Sequence, residues 1–191
     1  MGIKHQNYDI KQMQLLPLKD KIELSKQRIQ EWYEHYHGQV FVSFSGGKDS
    51  LRLAGIVEEL IQAGEINPSL LTVQFIDEEA IFPCIENTVK EWRKRFLAMG
   101  VKFEWYALEV KHFSCLNSLE NDESFICWDS RKKDVWIRQP PKFAIRQHPA
   151  HRGAKESYQD FLIRRNKGAI AITGVRVYES VQRLKVFSIK K

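Results

Sequence analysis

Apolar residues in the first third of the chain recur first at helical spacing and then in a short continuous run. The helical spacing over 19–36 predicts an amphipathic helix, with bounds of about 18–37, that ends at Gly38. The apolar run 39–44 predicts a strand of the kind that is buried on both faces of a parallel sheet. A second helix follows and ends at Gly64. Its apolar positions obey the i, i+3, i+4, i+7, i+8 rule and are Leu53, Ile56, Val57, Leu60 and Ile61.

The alternation of strand and helix continues through the middle of the chain. The run 70–77 predicts a second strand that ends in an acid. Pro83 predicts the start of a helix that extends to about Met99, and Gly100 stops it. A third strand is predicted over 101–110.

The regular pattern lapses over 111–154, which we expect to be a long irregular insertion whose aromatic residues argue against disorder. A helix is predicted over 156–166, and a fourth strand over 169–173 ends at Gly174. Strands alternating with helices predict an α/β fold with a mainly parallel sheet flanked by helices. We expect one domain over 1–191.

Composition favours a globular protein of the cytoplasm. The chain has 191 residues, of which 43% are hydrophobic and 28% charged, enough for one domain with a substantial core. No apolar stretch approaches the roughly 20 residues that span a bilayer. The segment 1–26 lacks the uninterrupted apolar core of a secretory signal. We therefore expect a cytoplasmic protein with no membrane partner.

Three cysteines, Cys84, Cys115 and Cys127, are widely spaced and form no Cys-x-x-Cys motif. They make a poor disulfide framework, and they supply neither a zinc knuckle nor the paired ligands of iron–sulfur sites. We expect buried structural cysteines and no iron–sulfur cluster.

The net charge of +6 is concentrated in the segment 131–155, where the single acid is Asp134. Its basic residues are Arg131, Lys132, Lys133, Arg138, Lys142, Arg146, Arg152 and Lys155. Such a stretch suits a partner that carries phosphate or sulfate, whether a nucleotide or a nucleic acid, and a solvated loop explains it equally well. The interleaved aromatics would suit stacking on unpaired bases or packing of the loop itself.

The hexapeptide 45–50, Ser-Gly-Gly-Lys-Asp-Ser, directly follows the first predicted strand. Two glycines there let backbone N–H groups approach an anion, and the next helix adds the positive end of its dipole. Lys48 adds a mobile charge, and Asp49 and Ser50 can cap the helix, bind a metal or bond a nucleotide. The predicted contacts of a bound phosphate chain are Ser43, Ser45, Gly46, Gly47, Lys48, Asp49 and Ser50.

This loop departs from the Walker A pattern of common P-loops. Walker A requires a glycine where this chain has Val42 and a Ser or Thr where it has Asp49. The hexapeptide instead resembles the PP-loop of the N-type ATP pyrophosphatases, Ser-Gly-Gly-x-Asp-Ser, at every fixed position.

Segments 45–50, 77–83 and 174–183 leave the carboxyl ends of predicted strands, so we expect them to converge on a ligand site. Asp77 closes a buried strand and could hold a ribose hydroxyl or contribute to a Mg²⁺ site. For the two glutamates that follow it, a solvated turn is the favoured interpretation.

The third of these segments carries two arginines seven residues apart, Arg176 and Arg183. If the segment is helical, both lie on one face with Glu179 between them. They could then clamp a phosphate or sulfate, although a surface helix with salt bridges explains the same pattern.

Three motifs together resemble the phosphoadenosine phosphosulfate (PAPS) reductase family. They are Ser-Phe-Ser-Gly-Gly-Lys-Asp-Ser at 43–50, Phe-Ile-Asp-x-x-x-x-Phe-Pro at 75–83, and Ile-Thr-Gly-x-Arg-x-x-Glu-Ser-x-x-Arg at 172–183. The resemblance covers about 39–183 and implies an adenine nucleotide α-hydrolase-like, Rossmann-like fold. It implies phosphates on the first loop, with four further residues near the adenosine or the phosphate or sulfate groups. These are Asp77, Gly174, Arg176 and Arg183.

The segments 121–128 and 135–143 look like a mobile-element subgroup of that family with no settled chemistry, some members of which are described as transcriptional regulators. The chain also lacks two features of assimilatory reductases in the family: a cysteine in a Glu-Cys-Gly-type tail and, in some, cysteine pairs for an iron–sulfur cluster. It stops at Lys191, so we expect the tail to be absent by nature or lost by truncation.

The resemblance leaves three functions open. The first is an ATP pyrophosphatase-type enzyme that cleaves ATP between the α and β phosphates, with Lys48, Asp49 and Arg176 as catalytic residues and Mg²⁺ on Asp49. The second is sulfonucleotide chemistry on PAPS, with a thiol from elsewhere or from Cys115 or Cys127. The third is a regulator or nucleic-acid (sulfur) modification component that uses 131–155 on a nucleic acid or protein partner.

Overall fold

Strands and helices alternate along the computed structural model, which describes residues 15–113 and 124–174. The strands are β1 (Val40–Ser43), β2 (Thr72–Ile76), β3 (Lys102–Tyr106), β4 (Val110–Phe113), β5 (Ser124–Cys127) and β6 (Ile170–Thr173). The α-helices are α1 (Leu18–His35), α2 (Lys48–Gln62), α3 (Pro83–Ala98) and α4 (Tyr158–Arg165). Short 3-10 helices lie at Pro68–Leu70 and Ser130–Val135.

The main sheet is parallel and has the strand order β3-β2-β1-β6. Its apolar face is formed by alternate strand residues such as Val42, Val73 and Phe103, which pack against residues of α2 and α3. Helix α1 adds Ile29 and Tyr33 to the same core. The predicted α/β fold with a mainly parallel sheet flanked by helices is confirmed, and its form is Rossmann-like.

The opposite face of the sheet is unusually polar. Gln74 and Glu104 are buried there, with Gln74 Nε2 donating to Glu104 Oε2 at 3.0 Å. Helix α4 covers this face: Arg165 Nη2 donates to Glu104 Oε1 at 2.6 Å, and Asn166 exchanges two hydrogen bonds with Gln74. Specific hydrogen bonds and charge pairs therefore hold α4 on the sheet.

The predicted third strand, 101–110, is wrong in its second half. Strand β3 ends at Tyr106, where its outer edge forms an isolated parallel bridge with Ile145. Ala107, Leu108 and Val110 stay buried in a second apolar cluster with Phe161, so the apolar run in the sequence continues past the end of the strand.

The segment predicted to be irregular, 111–154, is partly ordered into regular structure. Strands β4 and β5 pair in antiparallel orientation as a separate two-stranded sheet, and a 3-10 helix follows. The helices and the strands β1, β2 and β6 begin and end within about two residues of their predicted bounds.

Of the two described cysteines, one agrees with the expected burial and the other does not. Cys127 is buried, as predicted, whereas Cys84 is exposed, and the prediction is wrong for it. Position 84 lies in the first turn of α3, on a face that the core does not cover. Cys115 lies outside the described residues. Within 15–113 and 124–174, we find no helix both long enough and apolar enough to cross a membrane.

Candidate functional site

The turn between β1 and α2 is shaped by two glycines. Gly46 has a φ of +74°, the left-handed region that favours glycine, and Gly47 is the extended N-cap of α2. A Cβ on Gly46 would lie 2.7 Å from Val89 Cγ2 and 3.1 Å from Ile85 Cγ2, both in α3. The turn is therefore pressed against α3, and only glycine fits at position 46.

Two serines close the same turn. The backbone N–H of Ser45 donates to Ser50 Oγ at 3.2 Å, and Ser50 Oγ donates to Gly47 O at 2.9 Å. The hydroxyls of Ser45 and Ser50 lie 3.1 Å apart, and Ser50 is buried. Ser50 thus holds the turn in shape from inside, while Ser45 and Lys48 are exposed.

Replacing Ser50 by alanine should lower the free energy of unfolding by roughly 1–3 kcal/mol, because the N–H of Ser45 and the carbonyl of Gly47 lose their hydrogen bonds to the buried Ser50 hydroxyl. Urea denaturation would measure the change. Ser25→Ala is the matched control, since that hydroxyl bonds only to Lys21 O within α1 and its loss should change stability by about 0.5 kcal/mol or less. Equal effects of the two substitutions would contradict the assigned role of Ser50.

Strand β6 contacts the helix that follows the turn. Gly174, directly after β6, approaches the first turn of α2 so closely that a Cβ would lie 2.7 Å from Asp49 O and 3.1 Å from Ser50 N. Gly174 therefore meets the start of α2, and Gly46 meets α3, the helix that follows the segment 77–83. The convergence of 45–50 with 77–83 and 174–183 stays a prediction. Arg176 and Arg183 lie outside the described residues.

The turn also occupies a special place in the strand order. From β1 the chain proceeds outward to β2 and β3, whereas β6 lies on the other side of β1. In open parallel sheets, ligands bind beyond the carboxyl ends of the strands where the order reverses in this way. Ser43, the exposed last residue of β1, and Gly174 flank this point.

Asp77 lies at the carboxyl end of β2, as predicted, but protein groups surround its carboxylate. Trp105 Nε1 donates to Oδ2 at 2.7 Å, the N–H of Glu79 donates to Oδ1 at 3.1 Å, and Arg138 pairs with Oδ1. Burial raises the pKa of Asp77, and the Trp105 bond and the charge of Arg138 oppose that rise. This geometry favours a positioning role for Asp77 over direct contact with a ligand.

The two glutamates after Asp77 differ from one another. Glu78 is exposed, in agreement with a solvated turn. Glu79 is half-buried with a φ of +66°, and its Oε2 accepts from the N–H of Trp128 at 2.7 Å, so the solvated-turn interpretation is wrong for it. Glu79 ties the segment after β5 to the end of β2.

Three residues that the sequence patterns do not predict complete this region. Trp128 Nε1 donates to Asp77 O at 2.7 Å, Tyr158 OH donates to the same oxygen at 2.9 Å, and Arg138 Nε donates to Glu79 O at 2.9 Å. The sequence gives only a weak sign of the role of Arg138. This arginine directly follows the apolar triplet 135–137, and an arginine that faces inward would need a buried acid as its partner.

Three cations of the basic segment 131–155 contact acidic or aromatic side chains of the protein. Arg138 faces inward to Asp77, Arg131 pairs with Asp129 at 2.8 Å, and Arg146 lies over the ring of Trp136 at 4.7 Å. The remaining cations, all exposed, are Lys132, Lys133, Lys142, Arg152 and Lys155.

The described side chains form no metal cluster, and the buried Cys127 is not a reactive thiol. No group of three or more His, Cys, Asp or Glu in 15–113 and 124–174 is arranged to hold a metal ion. Mg²⁺ at nucleotides commonly needs only one or two carboxylates with phosphate oxygens, so Asp49 stays a prediction. Burial raises the pKa of Cys127 to about 12, which leaves it a thiol, whereas nucleophilic cysteines act as thiolates.

A cavity of about 530 Å³ lies between α1 and α2, away from the turn at 45–50. Its walls include Glu59 and Ala63 at the far end of α2, about 20 Å from Lys48 along the helix axis. This cavity is therefore separate from the strand-end site.

The Escherichia coli (strain K12) protein YbdN, described as uncharacterized, is similar to the chain. The two are 36% identical over 132 residues, which are 68% of this chain and 30% of YbdN. The chain thus spans about 30% of the length of this curated relative. No family model and no solved structure matches the chain.

Proposed function

We propose that the turn 45–50 binds the phosphate groups of an adenine nucleotide. The observation that supports this most strongly is the packing of glycines around the N-terminus of α2: Gly46 against α3, Gly47 at the N-cap and Gly174 against the first turn. Backbone N–H groups at such a helix start point toward an anion, and Lys48 is exposed beside them. The choice of adenine rests on the resemblance to the PAPS reductase and ATP pyrophosphatase families.

We further propose ATP pyrophosphatase-type chemistry or the related chemistry of a sulfonucleotide, in a PAPS reductase-like protein. In the ATP reaction an acceptor oxygen attacks the α-phosphorus, and the bond to the β-phosphate breaks, which releases pyrophosphate. Lys48 would stabilise the charge that develops on the leaving group, and Arg176 is proposed to act with it. When Mg²⁺ is bound, Asp49 would hold it, and the ion would neutralise phosphate charge.

For sulfonucleotide chemistry the reducing thiol is proposed to be a group other than the buried Cys127. The pKa of Cys127 is raised by burial, and its Sγ lies 3.6 Å from Glu78 O. Two thiols of a partner protein or a small dithiol would then be oxidised to a disulfide, while the sulfate group of PAPS is reduced to sulfite and adenosine 3′,5′-bisphosphate leaves. The ATP reaction needs no such thiol and is therefore favoured.

Isothermal titration of the full chain with Mg²⁺·ATP and with PAPS tests nucleotide binding. Lys48→Ala should weaken the binding of ATP roughly 10- to 100-fold, because a charge-assisted bond to phosphate is lost. Adenosine, which has no phosphate, should bind equally to both proteins. Lys94→Ala removes an exposed lysine of α3 and should leave the affinity for ATP unchanged. Absence of binding to wild-type protein at millimolar nucleotide would refute the proposal.

Product assays separate the two reactions. Pyrophosphate released from ATP indicates the first, and sulfite released from PAPS with added dithiothreitol or thioredoxin indicates the second. In either assay, an unchanged rate in the Lys48→Ala protein would contradict the role given to Lys48.

A further inference from the structure

A cluster of exposed cations lies on the 3-10 helix and the loop that packs against it. Lys132 and Lys133 are exposed on the helix, and Arg146 is held there because its guanidinium lies 4.7 Å from the ring centre of Trp136. Among the described residues, none of these three cations forms an ion pair. Their charge is therefore available to a partner.

Large apolar side chains border these cations in an exposed position. Val135 is 75% exposed, Ile137 72% and Phe82 76%. Arg138 links the segment that carries Val135 and Ile137 to the segment that carries Phe82. Its Nε donates to Glu79 O at 2.9 Å, and its Nη1 lies 3.7 Å from Glu86 Oε2. We call Phe82, Lys132, Lys133, Val135, Ile137 and Arg146 the basic surface.

The basic surface is fixed in place at the carboxyl edge of the main sheet. Trp136 Nε1 donates to Asp129 O at 3.0 Å, and Trp128, one residue before Asp129, donates to Asp77 O at the end of β2. The turn at 45–50 follows β1, the strand next to β2. A partner on this surface would lie beside the proposed nucleotide site.

We propose that the basic surface binds single-stranded nucleic acid. Exposed lysine and arginine attract the phosphate backbone, and exposed aromatic and aliphatic side chains offer a face on which unpaired bases stack. A duplex keeps its bases stacked on each other, so it would use only the cations. An acidic protein would likewise leave the apolar side chains without a role.

Fluorescence anisotropy with labelled 20-nucleotide oligo(dT) and oligo(rU), without any nucleotide, tests this proposal. Lys132→Gln with Lys133→Gln should weaken binding roughly 10- to 50-fold at 50 mM salt and make the slope of log K against log salt shallower by about 1.4, as expected for two lost phosphate contacts. Phe82→Ala should weaken binding about tenfold without changing that slope.

The matched control is Lys19→Gln with Lys167→Gln, which removes the same charge from exposed positions on α1 and before the amino end of β6. This control should bind the oligonucleotides like the wild type. Three results would overturn the proposal: no binding by the wild type at 50 mM salt, equal loss in the control, or a duplex or poly-glutamate competing as well as single strands. Because no nucleotide is present, the outcome is independent of the proposed nucleotide site.

Discussion

Replacing Glu104 by glutamine is expected to lower the free energy of unfolding by roughly 3 kcal/mol at pH 7. The Glu104 carboxylate is buried on the polar face of the sheet, where Arg165 bonds at 2.6 Å and Lys102 at 2.7 Å. Glutamine keeps the size of the side chain but leaves Arg165 beside a neutral amide. Guanidinium denaturation measures the difference, and exposed Glu91→Gln in α3 should change stability by less than about 0.5 kcal/mol.

The same carboxylate makes stability depend on pH in a defined window. Burial alone would raise the pKa of Glu104, but hydrogen bonds from Lys102, Tyr106 and Arg165 hold it at about 2, below the ordinary value of 4.5. The unfolded chain therefore takes up the proton first. The stabilisation is complete above about pH 4.5 and is lost as the pH falls toward 2. In the Glu104→Gln protein, the free energy of unfolding should depend less on pH in that window. Equal pH dependence in the variant and the wild type would contradict this account.

Gly46→Ala should lower the free energy of unfolding by roughly 3 kcal/mol and abolish nucleotide binding at the proposed site. About 1–2 kcal/mol comes from placing a Cβ at a φ of +74°, and the rest from its approach to Val89 Cγ2 at 2.7 Å. Thermal and urea unfolding measure the stability, and titration with ATP measures the binding.

Gly64→Ala separates these two causes. Gly64 has nearly the same φ, +77°, but a Cβ there would have no heavy atom within 4 Å. Gly64→Ala should lower the free energy of unfolding only by the backbone strain, about 1–2 kcal/mol, and should leave ATP binding intact. If the two alanine variants lose equal stability, close packing of the turn against α3 is not what selects glycine at position 46.

The sequence predicts most of the fold because its signals are local. The apolar run of β1, the helical spacing in α2 and the glycines at 38, 64 and 100 each depend on residues within one or two turns of the chain. The end of β3 is different: the strand stops at Tyr106, although the residues that follow it stay buried and apolar. A local pattern cannot distinguish these two kinds of buried segment.

The candidate site shows the same contrast between local signals, which can be predicted, and distant contacts, which cannot. The turn at 45–50 and its neighbour Gly174 could be predicted, since a motif and the rule of converging strand ends locate them. The partners of Asp77 could not, because Trp105, Trp128, Arg138 and Tyr158 lie 28, 51, 61 and 81 residues away in sequence. Only the folded chain brings them to the end of β2.

This dependence on distant partners bears on whether the region 124–150 can be removed by engineering. It adds no strand to the main sheet, so it looks like a dispensable loop. Such a deletion would remove Arg138 and Trp128, which contact Asp77 at the end of β2, and would leave its carboxylate without its cation. A minimal version of this domain therefore has to retain the segment, or replace Asp77 with a neutral side chain at the same time.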